Sequence, residues 1–130
     1  MTTQERADKA IDLKRNSCYN CCQAVSCVLA DQTDLDAETS RQLSAGFCGG
    51  MGTLEATCGA LIGAGLIAGL KTEGNGSVKY TAELLKKFAE KCGATKCGDL
   101  KAITNGRPLC PCEDCIRNAV LVYGEVMGLE

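Results

Sequence analysis

Eleven cysteines and no histidine set the chemistry open to this chain of 130 residues. Without His the usual general base is missing, and Ser-His pairs, Cys-His pairs and His-ligated metal or haem sites are excluded. Sulfur is left to do the work. Thiolates bind soft metal ions and attack disulfides. Cys18 and Cys21 form Cys-x-x-Cys with Cys22 following directly, and Cys112 and Cys115 form a second such pair preceded by Cys110-Pro111. Residues three or four apart share a helix face, so the spacing predicts that Cys18, Cys21 and Cys22 point the same way. Cys112 and Cys115 open the last predicted helix, where the N-terminus favours thiolate. The gap of roughly 90 residues between the pairs is too long for a zinc ribbon. The bacterial ferredoxin run of four cysteines is absent, and no Cys-x-x-Cys-His is present to attach a c-type haem.

The elements that must position these sulfurs read as helical almost throughout, with no alternation sustained enough for a strand. Thr3 to Lys14 carries Ala7, Ala10, Ile11 and Leu13 among charges and predicts a first helix. Asn16-Ser17 are cap residues for a second run through Ala30, and Asp34 or Asp36 caps a short third helix ending at Gly46. Gly46 to Gly52 is too rich in glycine for regular structure and predicts a loop. A fourth helix from about Leu54 to Leu70 has Ala or Gly every four residues, which lets another backbone come close and puts this helix in the middle. A fifth helix starts at Ser77 or Thr81 and is closed by Gly93. Cys97 to Ile103 forms a short helical turn, Asn105 to Pro108 breaks the chain, and a last helix runs from Cys112 to Gly124 or Met127. The expected fold is all-α: a compact bundle of about five to six helices around a Gly/Ala-rich central helix, with residues 1–130 as one domain.

Composition narrows the partners. Lys and Arg number 14 against 16 for Asp and Glu, so binding to nucleic acid by charge alone is excluded. Aromatic residues are only 4% and Trp is absent, which removes base-stacking platforms. The uncharged stretch between Glu55 and Lys71 would span about 22 Å as a helix, short of a hydrocarbon core of about 30 Å. It reads as a buried helix, and no membrane partner is expected. The polar start of the chain has no apolar leader segment, and the odd cysteine count argues against a disulfide framework. A reducing cytoplasm is the expected setting, where clustered cysteines are metal-binding or catalytic.

From about Asn20 to the last helix the chain resembles a family of redox-active proteins named for the cysteine pattern C_GCAxxG_C_C. Asn20-Cys21-Cys22-Gln23-Ala24-Val25 carries the first block. Gly49-Gly-Met-Gly52 followed by Cys58-Gly59-Ala60-Leu61-Ile62-Gly63-Ala64 carries the second, with Thr57 where the label has Gly. Phe88 through Cys97-Gly98-Asp99-Leu100, and Cys115 in the final helix, carry the rest. The resemblance implies a helical domain and a role in electron transfer or redox chemistry.

Cys21, Cys58, Cys97 and Cys115 lie on four separate segments, so packing the predicted helices is expected to bring four thiolates to one site. Cys18, Cys22 and Cys112 are further candidate ligands, and Gly49, Gly50, Gly52 and Gly59 would let backbone N–H groups approach the sulfurs. Cys27 and Cys92 fall on apolar faces and read as core, since a free thiol packs as a small hydrophobe. Cys48 reads either as a ligand or as a small loop residue. Four thiolates without imidazole suit an iron–sulfur cluster, with zinc or copper(I) as alternatives. The expected function is electron transfer to a redox partner protein. The alternative is a metal-free thiol-disulfide oxidoreductase using Cys112 and Cys115 with Cys21 or Cys58.

Overall fold

The computed structural model describes residues 1–129 and is mostly helical. Helix α1 (Thr3–Asn16) is entered through a reciprocal capping box between Thr2 and Glu5. The same device opens α2 (Cys21–Leu29): Asn20 accepts from the Gln23 backbone at 2.9 Å while the Gln23 side chain accepts from the Asn20 N–H at 2.9 Å. Each such cap satisfies donors that the helix itself leaves orphaned, a contribution of about 1 kcal/mol. This corrects the Asn16-Ser17 start expected above. Because α2 begins at Cys21, Cys18 is off the helix, exposed and in left-handed backbone (φ 61°), and it shares no face with Cys21 and Cys22.

Asp36 caps α3 (Ala37–Ser44). The glycine-rich segment that follows is not a plain loop: a 3-10 turn at Ala45–Phe47 leads into an irregular π-type turn at Gly50–Leu54. Gly49, Gly50, Met51 and Gly52 all have positive φ (66°, 59°, 59° and 79°), making one left-handed turn that L side chains resist. This turn delays α4, which runs Gly59–Lys71 rather than from Leu54, with Cys58 as its N-cap residue. Next come α5 (Ser77–Cys92), closed by Gly93, and the short α6 (Cys97–Lys101). A two-residue hairpin, β1 (Ile103–Thr104) with β2 (Arg107–Pro108), turns through Asn105-Gly106 at φ 55° and 83°. Paired positive φ values are what such tight hairpin turns require, and Asn-Gly supplies them. Helix α7 (Cys112–Met127) completes the chain. Seven helices, rather than five to six, make up the fold among the described residues, because α6 is a true helical turn held by Leu100 N–H to Lys96 O at 3.1 Å.

Helix α4 does lie among its neighbours, against α2, α5 and α7, and α2 is packed by α1, α3, α4 and α7. Every residue of α2 except Cys27 is buried. The small-residue face of α4 explains how closely the two helices meet: a Cβ at Gly63 would stand 2.7 Å from the carbonyl oxygen of Cys22. Tyr123, Phe88, Leu29, Ile67 and Leu84 fill the core around them. No helix among the described residues is long and apolar enough to cross a membrane.

Candidate metal centre

Cysteines from separate helices meet around one narrow cavity. Cys21, Cys58, Cys97, Cys110, Cys112 and Cys115 line it, together with Gly49, Gly59, Leu100 and Lys101. Its volume of about 10 Å³ holds at most one water. Cys21 is the first residue of α2, Cys58 the cap of α4 and Cys112 the first residue of α7, so three helix N-termini face the same sulfurs. Their unpaired N–H groups favour the anionic form of sulfur. At Cys58 the N–H groups of Ala60 and Leu61 at the start of α4 help to lower the thiol.

The deeper sulfurs form the tighter group. The Sγ atoms of Cys92, Cys110 and Cys115 lie within 4.8 Å of one another, and all three residues are buried. Cys92 ends α5, Cys110 precedes α7, and Cys115 sits one turn into α7. Cys58 joins them through a hydrogen bond with Cys115. Cys115 has a single S–H, and Cys58 Sγ, Cys92 Sγ and the Cys110 carbonyl at 3.4 Å all face it as acceptors. That thiol is therefore held protonated, first by its two sulfur neighbours and then by burial. Its partners move the other way. Cys58 is lowered chiefly by the Cys115 hydrogen bond. Cys92 is lowered to about 6 by Cys115 against the opposing effect of burial, helped by Asn118, whose Nδ2 donates to its sulfur at 3.2 Å. Cys110 is pushed up to about 12, by burial first and then by Cys92.

Nearer the surface, Cys21, Cys48 and Cys112 make a second group. Cys21 is buried, while the other two are half-buried. The Cys21 thiol is hydrogen-bonded to both and is held protonated by Cys112, Cys48 and burial, in that order. Cys48 falls to about 5, mainly through the Cys21 thiol, with the N–H groups of Cys21 and Gly49 and the charge of Lys101 adding to it. Cys112 falls to about 6 through Cys21, Lys101 and Lys14, against burial. Lys101 feels the reciprocal effect: burial opposes its charge, yet Cys112, Cys97, Cys21 and Cys48 carry its pKa upward.

The four sulfurs expected to converge, Cys21, Cys58, Cys97 and Cys115, do line one cavity. They do not form one group of contacts: Cys21 belongs to the outer set, Cys58 and Cys115 to the inner, and Cys97 stands beside Lys101 with its thiol raised by burial. Cys22 is fully buried away from the cavity lining and is pushed up to about 12, by burial first. Gly49 and Gly59 line the cavity, a Cβ at Gly50 would stand 2.9 Å from that of Cys97, and Gly52 is exposed with open space beside it. The inner set includes two residues that the sequence reading kept apart from its four convergent cysteines, as surplus sulfurs for a further cluster or as resolving thiols. Cys92 lies on the apolar face of α5, where nothing in its spacing separates a ligand from core. Cys110 carried one local signal, the Cys110-Pro-Cys112 run next to the second Cys-x-x-Cys.

These features define a class: a helical, cysteine-rich domain with a buried thiol cluster able to bind a metal ion. The chain belongs to the family described as "Putative redox-active protein (C_GCAxxG_C_C)", whose model matches residues 19–126. No curated protein and no solved structure matches it.

Proposed function

We propose that the protein carries electrons on iron held by its buried thiolates, as an iron–sulfur cluster, and exchanges them with a partner protein in a reducing, cytoplasmic setting. One observation carries this reading: three buried sulfurs within 4.8 Å of one another, with Cys58 beside one of them, Cys115. An all-sulfur donor set selects soft or borderline ions, namely iron, zinc and copper(I). Zinc has no redox chemistry of its own, so membership of a redox-active family favours iron.

The residues fit such a group. Metal–sulfur bonds of about 2.3 Å put tetrahedral thiolates about 3.8 Å apart, inside the spacing seen at Cys92, Cys110 and Cys115. A single ion needs the smaller closing-in of these sulfurs, whereas a cluster spreads its ligands by the width of its inorganic core. Bound iron supplies a one-electron couple. The chain supplies the rest: Cys58, Cys92, Cys110 and Cys115 would hold the centre, Asn118 donates to the Cys92 sulfur, and buried Leu100 helps keep the cavity dry. Hydrogen bonds to sulfur and exclusion of water are the levers that set such a potential.

Anaerobic purification followed by iron, zinc, copper and acid-labile sulfide analysis tests the proposal. A brown protein containing iron and sulfide is expected. Iron without sulfide reduces the centre to a single four-thiolate ion. A colourless protein without iron after reconstitution, or one holding only zinc, rejects electron transfer through this site.

A further inference from the structure

We propose that a cavity between α4 and α5, distinct from the sulfur site, binds a neutral compound of one or two rings that carries a carbonyl oxygen. The cavity has a volume of about 390 Å³. Ala56, Thr57, Leu61 and Ile62 form its wall around the start of α4, with Gly65 and Leu66 further along that helix. Thr81, Leu84 and Leu85 of α5 form the other wall.

Three observations define the ligand. The first is size. A cavity of about 150 Å³ holds a benzene ring, so this one has room for a substituted ring or for two fused rings. The second is charge. No Asp, Glu, Lys or Arg lines the cavity, and an ion stripped of water there would go unpaired, so the ligand is neutral. The third is an open donor. The backbone of half-buried Thr57 is fixed by an isolated bridge with Lys96, and the Cys58 N–H beside it donates to Thr95 O at 2.8 Å. The Thr57 hydroxyl has no hydrogen-bond partner among the described residues, whereas that of Thr81 is already given to Val78 O at 3.1 Å. A lone free hydroxyl in an otherwise apolar lining calls for an acceptor oxygen on the ligand.

The way in is open, since Leu85 in the lining is itself exposed. The position ties the cavity to the sulfur site. Cys58 and Gly59 line the sulfur cavity while Thr57 and Leu61 line this one, so residues 56–62 are a wall common to both. A ring held here lies against the residue next to Cys58, and a quinone, the redox-active member of this class, would sit beside the sulfurs. Binding itself does not rest on the metal reading above.

The test titrates the full chain with acetophenone and with α-methylstyrene, which has =CH2 in place of =O on the same skeleton, and follows amide NMR shifts. Saturable binding of both is expected, with a Kd for acetophenone below about 1 mM and shifts gathered at residues 56–62 and 81–85. A Cβ at Gly65 would point to Thr81 Cγ2 at 3.6 Å, an ordinary contact, so Gly65→Leu should fill the cavity and abolish both bindings with helical circular dichroism kept. Thr57→Val keeps the shape and removes the hydroxyl. It should weaken acetophenone about two- to tenfold and leave α-methylstyrene unchanged, a split that a merely structural role does not produce. No saturable binding, undiminished binding in Gly65→Leu, equal effects of Thr57→Val on the two probes, or a dimer that closes the cavity with its second copy would overturn the assignment. Metal and sulfide analysis bears on the sulfur site alone, so the two readings fail separately.

Discussion

Cys112 and Cys115 stand three residues apart at the start of α7, yet each answers to a different set of sulfurs. Cys112 is hydrogen-bonded to Cys21, whereas Cys115 is hydrogen-bonded to Cys58 and Cys92. Three residues along a helix rise about 4.5 Å and turn by about 60° short of a full circle, enough to send two thiols of one motif to separate neighbours. The second Cys-x-x-Cys is thus a fork. It joins a buried group suited to a metal with a half-exposed group nearer the surface.

The inner group depends on a neighbour outside it. Asn118 lies on α7 and donates to the Cys92 sulfur at 3.2 Å, so it both orients that ligand and stabilises its charge. Asn118→Ala is expected to weaken metal binding about 10- to 100-fold while leaving the helical circular dichroism unchanged. Competition with a chelator measures this directly. Cys92→Ser, which removes the sulfur itself, should lose more than Asn118→Ala; equal or smaller loss would remove Cys92 from the ligand set.

Packing of α2 on α4 gives a second prediction. In Gly63→Ala the new methyl would lie 2.7 Å from Cys22 O and 3.3 Å from Ser26 N, both backbone atoms that cannot turn aside. The helices must separate, at a cost of about 1–3 kcal/mol. Gly69→Ala on the same helix meets nothing within 4 Å and should instead stabilise the protein by about 0.5–1 kcal/mol through helix propensity. Urea denaturation of the two variants should therefore move in opposite directions.

Much of this fold was readable from local signals. Ser77 to Cys92 with its closing Gly93, Asp36 before α3, and Cys112 at the head of α7 all follow from caps and periodicity, and the structure shows each of them. The boundaries that differ have local causes. Asn20 outcompetes Asn16-Ser17 because Gln23 stands three residues on and completes a capping box. The left-handed turn at 49–52 shortens α4 from its start, and no propensity rule foresees four consecutive positive φ values that include Met51. The site was harder to read. Spacing along the chain shows which cysteines share a helix, but which sulfurs meet across helices depends on how α5 and α7 pack. Cys92, apparently ordinary core, is a case where only tertiary structure reveals a sulfur placed where it could bind a metal.

The opposed thiol shifts make the metal-free, reduced protein sensitive to pH. Cys48 and Cys92 titrate at about 5 and about 6 in the folded chain against an ordinary value of 9.0. A folded value below the unfolded one means stability that is present above pH 9 and is lost as pH falls, through about 6 and then about 5. Cys21 and Cys115 are raised, so what they contribute is present below pH 9 and is lost as pH rises beyond it. The reduced apoprotein should therefore melt at its highest temperature near pH 9, where the contributions of both sets are present. Alkylation followed residue by residue should find Cys48 reactive down to about pH 5 and Cys21 unreactive at neutral pH. A protein equally stable and equally reactive from pH 5 to 10 would contradict this arrangement of protons.

Lys101 is the cation nearest the heart of the site, half-buried in the cavity lining and facing Cys112, Cys97, Cys21 and Cys48. Its charge lowers the thiols of Cys48 and Cys112. The same charge must act on any anionic centre among these sulfurs, since adding an electron adds negative charge that a nearby ammonium stabilises. Lys101→Gln is thus expected to raise the Cys48 and Cys112 thiols in the apoprotein and to make the reduction potential of the iron-loaded protein more negative. Lys101→Arg, which keeps the charge, should restore most of both effects. Potentiometric titration of the loaded protein and pH-dependent alkylation of the apoprotein read the two consequences separately. A potential that ignores the loss of Lys101 while the thiol reactivities shift would contradict this coupling between Lys101 and the centre held by Cys58, Cys92, Cys110 and Cys115.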